Sequence, residues 1–374
     1  MLLLIPGPVT TRPEVRAAMA QDIAPWDNEF RPHYIDVRDR VRAIANAPAE
    51  THATLALQGC GHFGMEAAIR TFVPAGGKIL IPLTGQYADR LVKLADDCGR
   101  VAVPLAIPQE SPLAPAAVAA ALAADPAISH VGLVYSETST GVIHDPAVIG
   151  PVVRAAGRRI ILDSVSAFGA MPLDMGAQPE LDAAVFTSNK CLEGMPGLCF
   201  AVARTDRLVE CAGNAGSWSF DLSDIYANYQ RSPGGFRFTP PAQVMMAFRA
   251  ALDVFDAEGG QPARFARYRA NADALFEGMQ GIGLMPYLPR AVQGPIVMNI
   301  HAPADPAWSL QGFVDALKRR GYLISNFYNT RLPSMRIGCI GAITPEDMRG
   351  FVRAADAALT EMGIRNRAPA AKAA

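Results

Sequence analysis

Cysteine is scarce and scattered in this sequence: the six residues, at 60, 98, 191, 199, 211 and 339, never fall into C-x-x-C spacing. That argues against a zinc site and against a disulfide framework, and it fits a reducing cytoplasm. The six histidines (33, 52, 62, 130, 144 and 301) are equally dispersed, so nothing in the spacing points to a metal. An excess of either charge is missing too. Lys and Arg number 34 against 35 Asp and Glu, a formal net charge of −1. With no basic surplus to hold a phosphate backbone, nucleic acid is a poor candidate partner. No apolar run reaches membrane-spanning length. The opening M-L-L-L-I-P-G-P is apolar but short and lacks a positive flank, so it reads as a strand or an anchored arm, not as a signal peptide. There is no internal repeat.

What is present is an ordinary soluble composition, half hydrophobic and 18% charged. The 374 residues suffice for a sizeable core and for two domains. From about residue 53 to residue 255, apolar runs alternate with alanine-rich helical patterns. Strands are expected at 78–83, 100–105, 128–135, 158–163 and 198–203, with helices at 87–99 and 114–125. Strands that are apolar nearly throughout imply burial on both faces, hence a mainly parallel α/β sheet wrapped by helices. After R-S-P-G-G-F-R-F-T-P-P (231–241) the pattern changes. Long helices are expected at 241–257 and on to about 280, separated by E-G-G-Q-P. A smaller α+β unit follows, and its last helix begins at T-P-E-D (344–347), with threonine as cap and acids in the first turn. The division expected is an arm at 1–14, a large domain at 15–255, a small domain at 256–364 and a disordered tail at 365–374.

Three features could carry chemistry. Lys190 follows the strand-like D-A-A-V-F-T in T-S-N-K-C-L-E-G-M-P-G (187–197). Most lysines are simply solvated, but one at a buried strand's end can be an imine-forming amine with a lowered pKa. Asp163 closes the strand R-R-I-I-L-D (158–163). It could cap a turn, or it could hold a protonated pyridine nitrogen. Both fall at carboxyl ends of neighbouring strands, where open α/β sheets bind ligands. In L-Q-G-C-G-H-F-G-M-E-A-A-I (57–69) a strand runs through a glycine-rich turn into a helix, a suitable seat for one phosphate at Cys60, Gly61 and His62. The turn lacks dinucleotide and Walker spacing.

With D-S-V-S-A-F-G (163–169) upstream, the T-S-N-K-C-L-E-G-M-P-G stretch resembles the class V, fold-type I pyridoxal-phosphate aminotransferases. The resemblance runs from P-G-P-V-T-T-R-P-E-V (6–15) to M-R-I-G-C-I-G (335–341). W-D (26–27), S-E-T-S-T-G (136–141) and F-R-F-T (236–239) are most similar to the 2-aminoethylphosphonate–pyruvate transaminases. Alanine–glyoxylate and serine–pyruvate enzymes are similar at a greater distance.

This family implies a seven-stranded, mainly parallel sheet, a cofactor (pyridoxal 5′-phosphate), an amino donor and a keto-acid acceptor in a ping-pong cycle. It also implies a homodimer with shared active sites. Lys190 would hold the cofactor as a Schiff base and shuttle the proton, and Asp163 would pair with the pyridine nitrogen. Tyr87 would stack on the ring, and Thr138 would lie near its 3′ oxygen. Cys60, Gly61, His62 and Thr187 would line the phosphate, reached also by Thr239 of the neighbouring subunit. Arg336 would clamp the keto-acid carboxylate, and Gly7 would let backbone approach the substrate. Two departures bear on the donor. His62 stands where the phosphonate enzymes usually carry serine, and S-N-F-Y-N-T-R-L-P-S (325–334) replaces the usual Y-P-G-K, with Arg331 a candidate for the missing charge. A desulfurase ranks below the transaminase, because asparagine and not histidine precedes the lysine. A non-catalytic cofactor-binding module ranks below it as well, because it would not need Arg336.

Overall fold

The computed structural model of the chain describes residues 1–370. Strands β2 (His52–Gly59), β3 (Lys78–Pro82), β4 (Val101–Leu105), β5 (Ile128–Val134), β6 (Arg159–Asp163), β7 (Leu181–Thr187) and β8 (Gly197–Arg204) form one sheet in the order β2-β8-β7-β6-β5-β3-β4. Only β8 runs against its neighbours, pairing antiparallel with both β2 and β7. The reason lies in the strand composition. Ile160 and Leu162 of β6 belong to the apolar cluster on one face and Ile161 to the cluster on the other. Leu181, Ala184 and Phe186 of β7 alternate in the same way with Ala183 and Val185. A strand that is apolar at every position needs cover on both sides, and helices supply it.

One face is covered by α2 (Phe30–Ile44), α5 (Pro115–Ala124), α6 (Pro146–Ala155) and α9 (Ala242–Glu258), with the short α1 (Pro13–Ala17) beside them. The other is covered by α3 (Gly61–Phe72), α4 (Gln86–Asp97), α7 (Thr205–Glu210) and α8 (Leu222–Arg231). Gly259, at φ 108°, ends α9 in the left-handed region that glycine adopts without strain, and α10 (Gly260–Gly281) starts at once. A third apolar cluster joins α10, β9 (Val297–His301), α11 (Leu310–Arg319), β11 (Ser334–Gly338) and α12 (Pro345–Glu361). α12 starts on the threonine cap expected at T-P-E-D, and Asp347 completes a capping box: Asp347 N–H donates to Thr344 Oγ1, and Thr344 N–H to the Asp347 carboxylate.

The N-terminal arm ties the two ends of the chain together. β1 (Leu2–Leu3) pairs in parallel with β10 (Tyr322–Leu323), and Gly338 N–H at the end of β11 donates to Leu4 O. Any side chain at 338 would strike Ile5 O, so glycine is required for the arm to lie flat there. No helix among the described residues is long and apolar enough to cross a membrane. The expected disordered tail needs correction over 365–369. Arg365 and Asn366 N–H groups donate to Asp305, Arg367 pairs with Asp356 and the Ile282 carbonyl, and Pro369 bridges to Pro303. Residues 371–374 lie outside the described residues.

Candidate active site

The parallel strands put their carboxyl ends along one edge, and the site is assembled there. Lys190 sits in the turn after β7, partly buried, with Nζ donating to Pro6 O at 2.7 Å. Burial lowers the pKa of this amine and the Arg336 charge lowers it further, outweighing the opposite pull of Tyr87. Asp163 at the end of β6 is 7% exposed, and one oxygen accepts from Val165 N–H at 3.0 Å. Among the described residues no cation bonds its other oxygen, and burial pushes this acid up to about 6.

Cys60, Gly61, His62, Thr187, Asp163, Tyr87, Gly7 and Lys190 all line one cavity of about 240 Å³. Cys60 precedes α3 without a side-chain cap bond, so the helix start that lines the cavity at Cys60, Gly61 and His62 keeps backbone N–H groups that no side chain caps. A Cβ on Gly61 would lie 2.6 Å from Val165 Cγ2, so glycine lets α3 start against the strand ends. Gly7, at φ 131°, serves the same purpose from above. A Cβ there would fall 2.5 Å from Lys190 Cδ and 2.9 Å from Nζ.

A second cavity, of about 530 Å³, shares Gly7, Tyr87 and Lys190 with the first and adds Arg336, Ser325, Phe327 and Lys318. Arg336 is 5% exposed. Its Nη1 donates to Thr138 O at 3.0 Å, its Nη2 reaches Ser325 Oγ at 3.4 Å, and the Phe327 ring lies 5.3 Å away. With its amide oxygen turned to the guanidinium, Asn329 accepts from Nε at 3.1 Å and from Nη2 at 3.0 Å. Thr138 is fully buried, and Thr187 Oγ1 is buried with no hydrogen-bond partner among the described residues. Tyr87 opens α4. Burial alone would raise its hydroxyl, but the charges of Lys190, Arg336 and Arg90 bring it below its ordinary value.

Two sequence candidates stand apart. Thr239 is exposed and lines a different cavity, of about 380 Å³, with Gly59, Phe63 and Phe238. The turn 59–63 separates the two. Arg331 is exposed and lies near Tyr287, outside both Lys190 cavities. Sequence reading missed Arg90, which lines the first cavity and lays its guanidinium over the Tyr87 ring at 4.8 Å. The signal was available: Y-A-D-R places Arg90 three residues along α4 from Tyr87, on the same face. It also missed Asn329, for which no local pattern exists.

A lowered-pKa lysine, an uncompensated buried aspartate, a free helix N-terminus and a carboxylate-sized arginine fork make a site for carbonyl–amine exchange. The chain belongs to the class V aminotransferase family, whose model matches residues 15–305. It is accordingly a pyridoxal 5′-phosphate-dependent enzyme of fold type I. It is 41% identical over 373 residues to the 2-aminoethylphosphonate–pyruvate transaminase of Cupriavidus necator, covering 100% of this chain and 98% of that one. It is 42% identical over 363 residues to the enzyme of the same name from Burkholderia ambifaria, covering 97% and 96%. Among solved structures it superposes on pyridoxamine–pyruvate aminotransferase from Mesorhizobium loti with a TM-score of 0.89 at 24% identity, covering 98% and 93% of the chains. The alanine–glyoxylate aminotransferase of Nostoc sp. gives a TM-score of 0.86 at 24% identity, covering 96% and 95%. The residues present fit the cofactor. The unpartnered Thr187 hydroxyl, the second Asp163 oxygen and the start of α3 without a side-chain cap each leave unused the valence that a phosphorylated pyridine would take.

Proposed function

We propose that the enzyme transfers the amino group of 2-aminoethylphosphonate to pyruvate, giving phosphonoacetaldehyde and L-alanine. The support is a full-length kinship with transaminases of that name, and a cavity in which Arg336 faces the same space as Lys190. Lys190 would hold the cofactor covalently and Asp163 would bond its ring nitrogen. The uncapped start of α3, with Cys60, Gly61, His62 and Thr187, would receive its phosphate. Once bound, the cofactor supplies an electron sink for charge left when a proton departs from carbon. Asp163 keeps that sink effective by holding a positive nitrogen. Lys190, with its pKa lowered by burial, gives up its own proton more readily than a solvated lysine, and its amine can take the proton and return it one atom away. Tyr87 covers the site, and Arg336 fixes the acceptor carboxylate with a two-pronged bond. A phosphonate carries more negative charge than a carboxylate, and Arg336, Lys318 and Arg90 join Lys190 in lining the two cavities.

We further infer an arm at 1–14, a large domain at 15–255 and a small domain at 256–364, with Arg336 brought to the site by the last. We also infer a cytoplasmic homodimer. All six cysteines are unpaired, which suits a reducing compartment. Trp218, Phe238 and Phe63 form an exposed apolar group around Thr239, which suits burial against a second copy. Thr239 would then serve the partner's phosphate seat.

Purified enzyme given 2-aminoethylphosphonate and pyruvate should form alanine. Turnover of alanine with glyoxylate, and none with the phosphonate, would replace this donor by that of the alanine–glyoxylate enzymes. Mixing inactive Lys190→Ala and Thr239→Ala proteins should restore part of the activity through hybrid dimers, and no recovery at all would remove the shared-site proposal.

A further inference from the structure

Behind Lys190, on the side away from both cavities, lies a buried ionic cluster that the reaction as described above does not use. Arg264 is fully buried and Glu193 is 2% exposed. Among the described residues, Glu193 is one of three non-glycine residues with positive φ, at 57°, in the turn that carries Lys190. Its own N–H donates to Lys190 O at 2.9 Å, and Gly194 N–H donates to Ser188 O at 2.8 Å, so the turn closes around the lysine. A non-glycine residue holds the left-handed region only where its surroundings compensate the strain. They do so here. The Glu193 carboxylate accepts from Arg267 Nη2 at 2.6 Å and from Tyr268 OH at 2.7 Å. Arg264 Nη1 donates to the carbonyl of Cys191, the residue after the lysine, at 2.5 Å. Glu258 balances both guanidinium groups at 2.8 and 2.7 Å, leaving two cations against two anions.

The same side chains also grip the other half of the site. Arg267 Nη1 donates to Gly341 O at 2.6 Å and to Ile343 O at 2.9 Å, and Gly341 N–H donates to Tyr268 OH at 3.2 Å. Asn271 donates to Cys339 O at 3.0 Å. Residues 339–343 continue directly from β11, the strand that carries Arg336. One face of α10 therefore holds the Lys190 turn with one set of bonds and the continuation of the Arg336 strand with another.

We propose that Glu193, Arg264, Arg267 and Tyr268 are positioning residues that fix the Lys190 turn against the Arg336 strand, and so set how an anionic group held by Arg336 is presented to the lysine amine. Chemistry of this kind is sensitive to small misplacements of its partners. The proposal rests on the carboxylate role given above to Arg336, and the exchange measurement below tests the coupling without that role.

Tyr268→Phe keeps the ring and removes only the hydroxyl shared by Glu193 and Gly341. In cofactor-free protein, the amides of Glu193, Gly194 and Gly341 should exchange hydrogen faster together, with the β5–β7 amides unchanged. In the holoenzyme, KM for pyruvate should rise by about tenfold, with cofactor affinity held within about twofold. Met348→Ala, in the α12 core, serves as a control of comparable thermal destabilisation with no change in KM. Glu193→Gln, which keeps the hydrogen bonds and loses the charge, should repeat the Tyr268→Phe pattern. If both variants lose thermal stability but keep the wild-type KM and exchange at only one of the two segments, the cluster is structural and the proposal fails. A Tyr268→Phe protein that does not fold leaves Glu193→Gln to decide on the same two readouts.

Discussion

The two ends of the active-site cavity are built by opposite means. At the cofactor end each functional group sits at the end of a regular element: Asp163 on β6, Thr187 and Lys190 at β7, Gly61 and Tyr87 at the starts of α3 and α4. At the substrate end, Arg336 projects from a two-stranded sheet, and its neighbours Ser325, Phe327 and Asn329 come from a stretch with no regular structure between β10 and β11. Strand and helix ends are fixed by the core beneath them. An irregular stretch is fixed only by its own few bonds, so it can change sequence without disturbing the sheet. On the proposed function, the shared chemistry falls to the first end and the choice of substrate to the second.

The comparison can be broken most directly at Lys190. Lys190→Ala should lower kcat by roughly 10⁴-fold or more, and borohydride should no longer trap cofactor on the protein. A retained adduct would place the covalent lysine elsewhere. Asp163→Asn should lower kcat by roughly 10²-fold or more while leaving KM for pyruvate nearly unchanged, because it acts on the cofactor end alone.

The same residue gives a pH signature. In cofactor-free protein Asp163 is pushed up from 3.8 to about 6 by burial. A raised acid favours the folded state fully below its unfolded value and loses that contribution as pH rises through about 6. The stability of cofactor-free wild type relative to Asp163→Asn should thus fall by roughly 3 kcal/mol between about pH 4 and pH 6. Saturating cofactor should flatten the slope, since a positive ring nitrogen pairs with the carboxylate. An unchanged slope would remove Asp163 from that role.

At the substrate end the effects should be smaller and should appear in KM. Arg336→Lys keeps the charge and loses the fork, and should raise KM for pyruvate by about tenfold or more with cofactor affinity intact. Asn329→Ala removes one partner of that fork and should raise KM by about threefold. Arg331→Ala should change it by less than about twofold, because the side chain faces solvent outside the cavity. An Arg331 effect larger than the Asn329 effect would reverse the assignment of the 325–335 stretch.

These contrasts match what could be read from the chain. Lys190, Asp163 and the 57–69 turn were legible because each marks the end of an apolar strand, and strand ends leave local signals in glycine, proline and polar residues. The T-P-E-D cap was legible as a local helix-start signal, whereas Tyr87 rested on the family resemblance. Arg336 came from resemblance to a family, as did Thr138 and Thr239. Arg331 is exposed outside both cavities while Asn329 faces Arg336, and nothing within a few residues of either says which one turns inward. Thr239, in its separate cavity, is placed at the site only through the proposed second copy.

The sequence by itself determined a parallel sheet covered on both faces, with a lysine and an aspartate at adjacent strand ends, because periodicity and turn chemistry act over a few residues. Only the tertiary structure decided that Pro6 O receives the Lys190 amine from 184 residues away, that Asn329 faces Arg336 and that Arg90 covers Tyr87. Those contacts depend on how the arm, α4 and the last strands pack over one sheet edge. Packing is settled by burial summed over the whole chain, which no short stretch of it records.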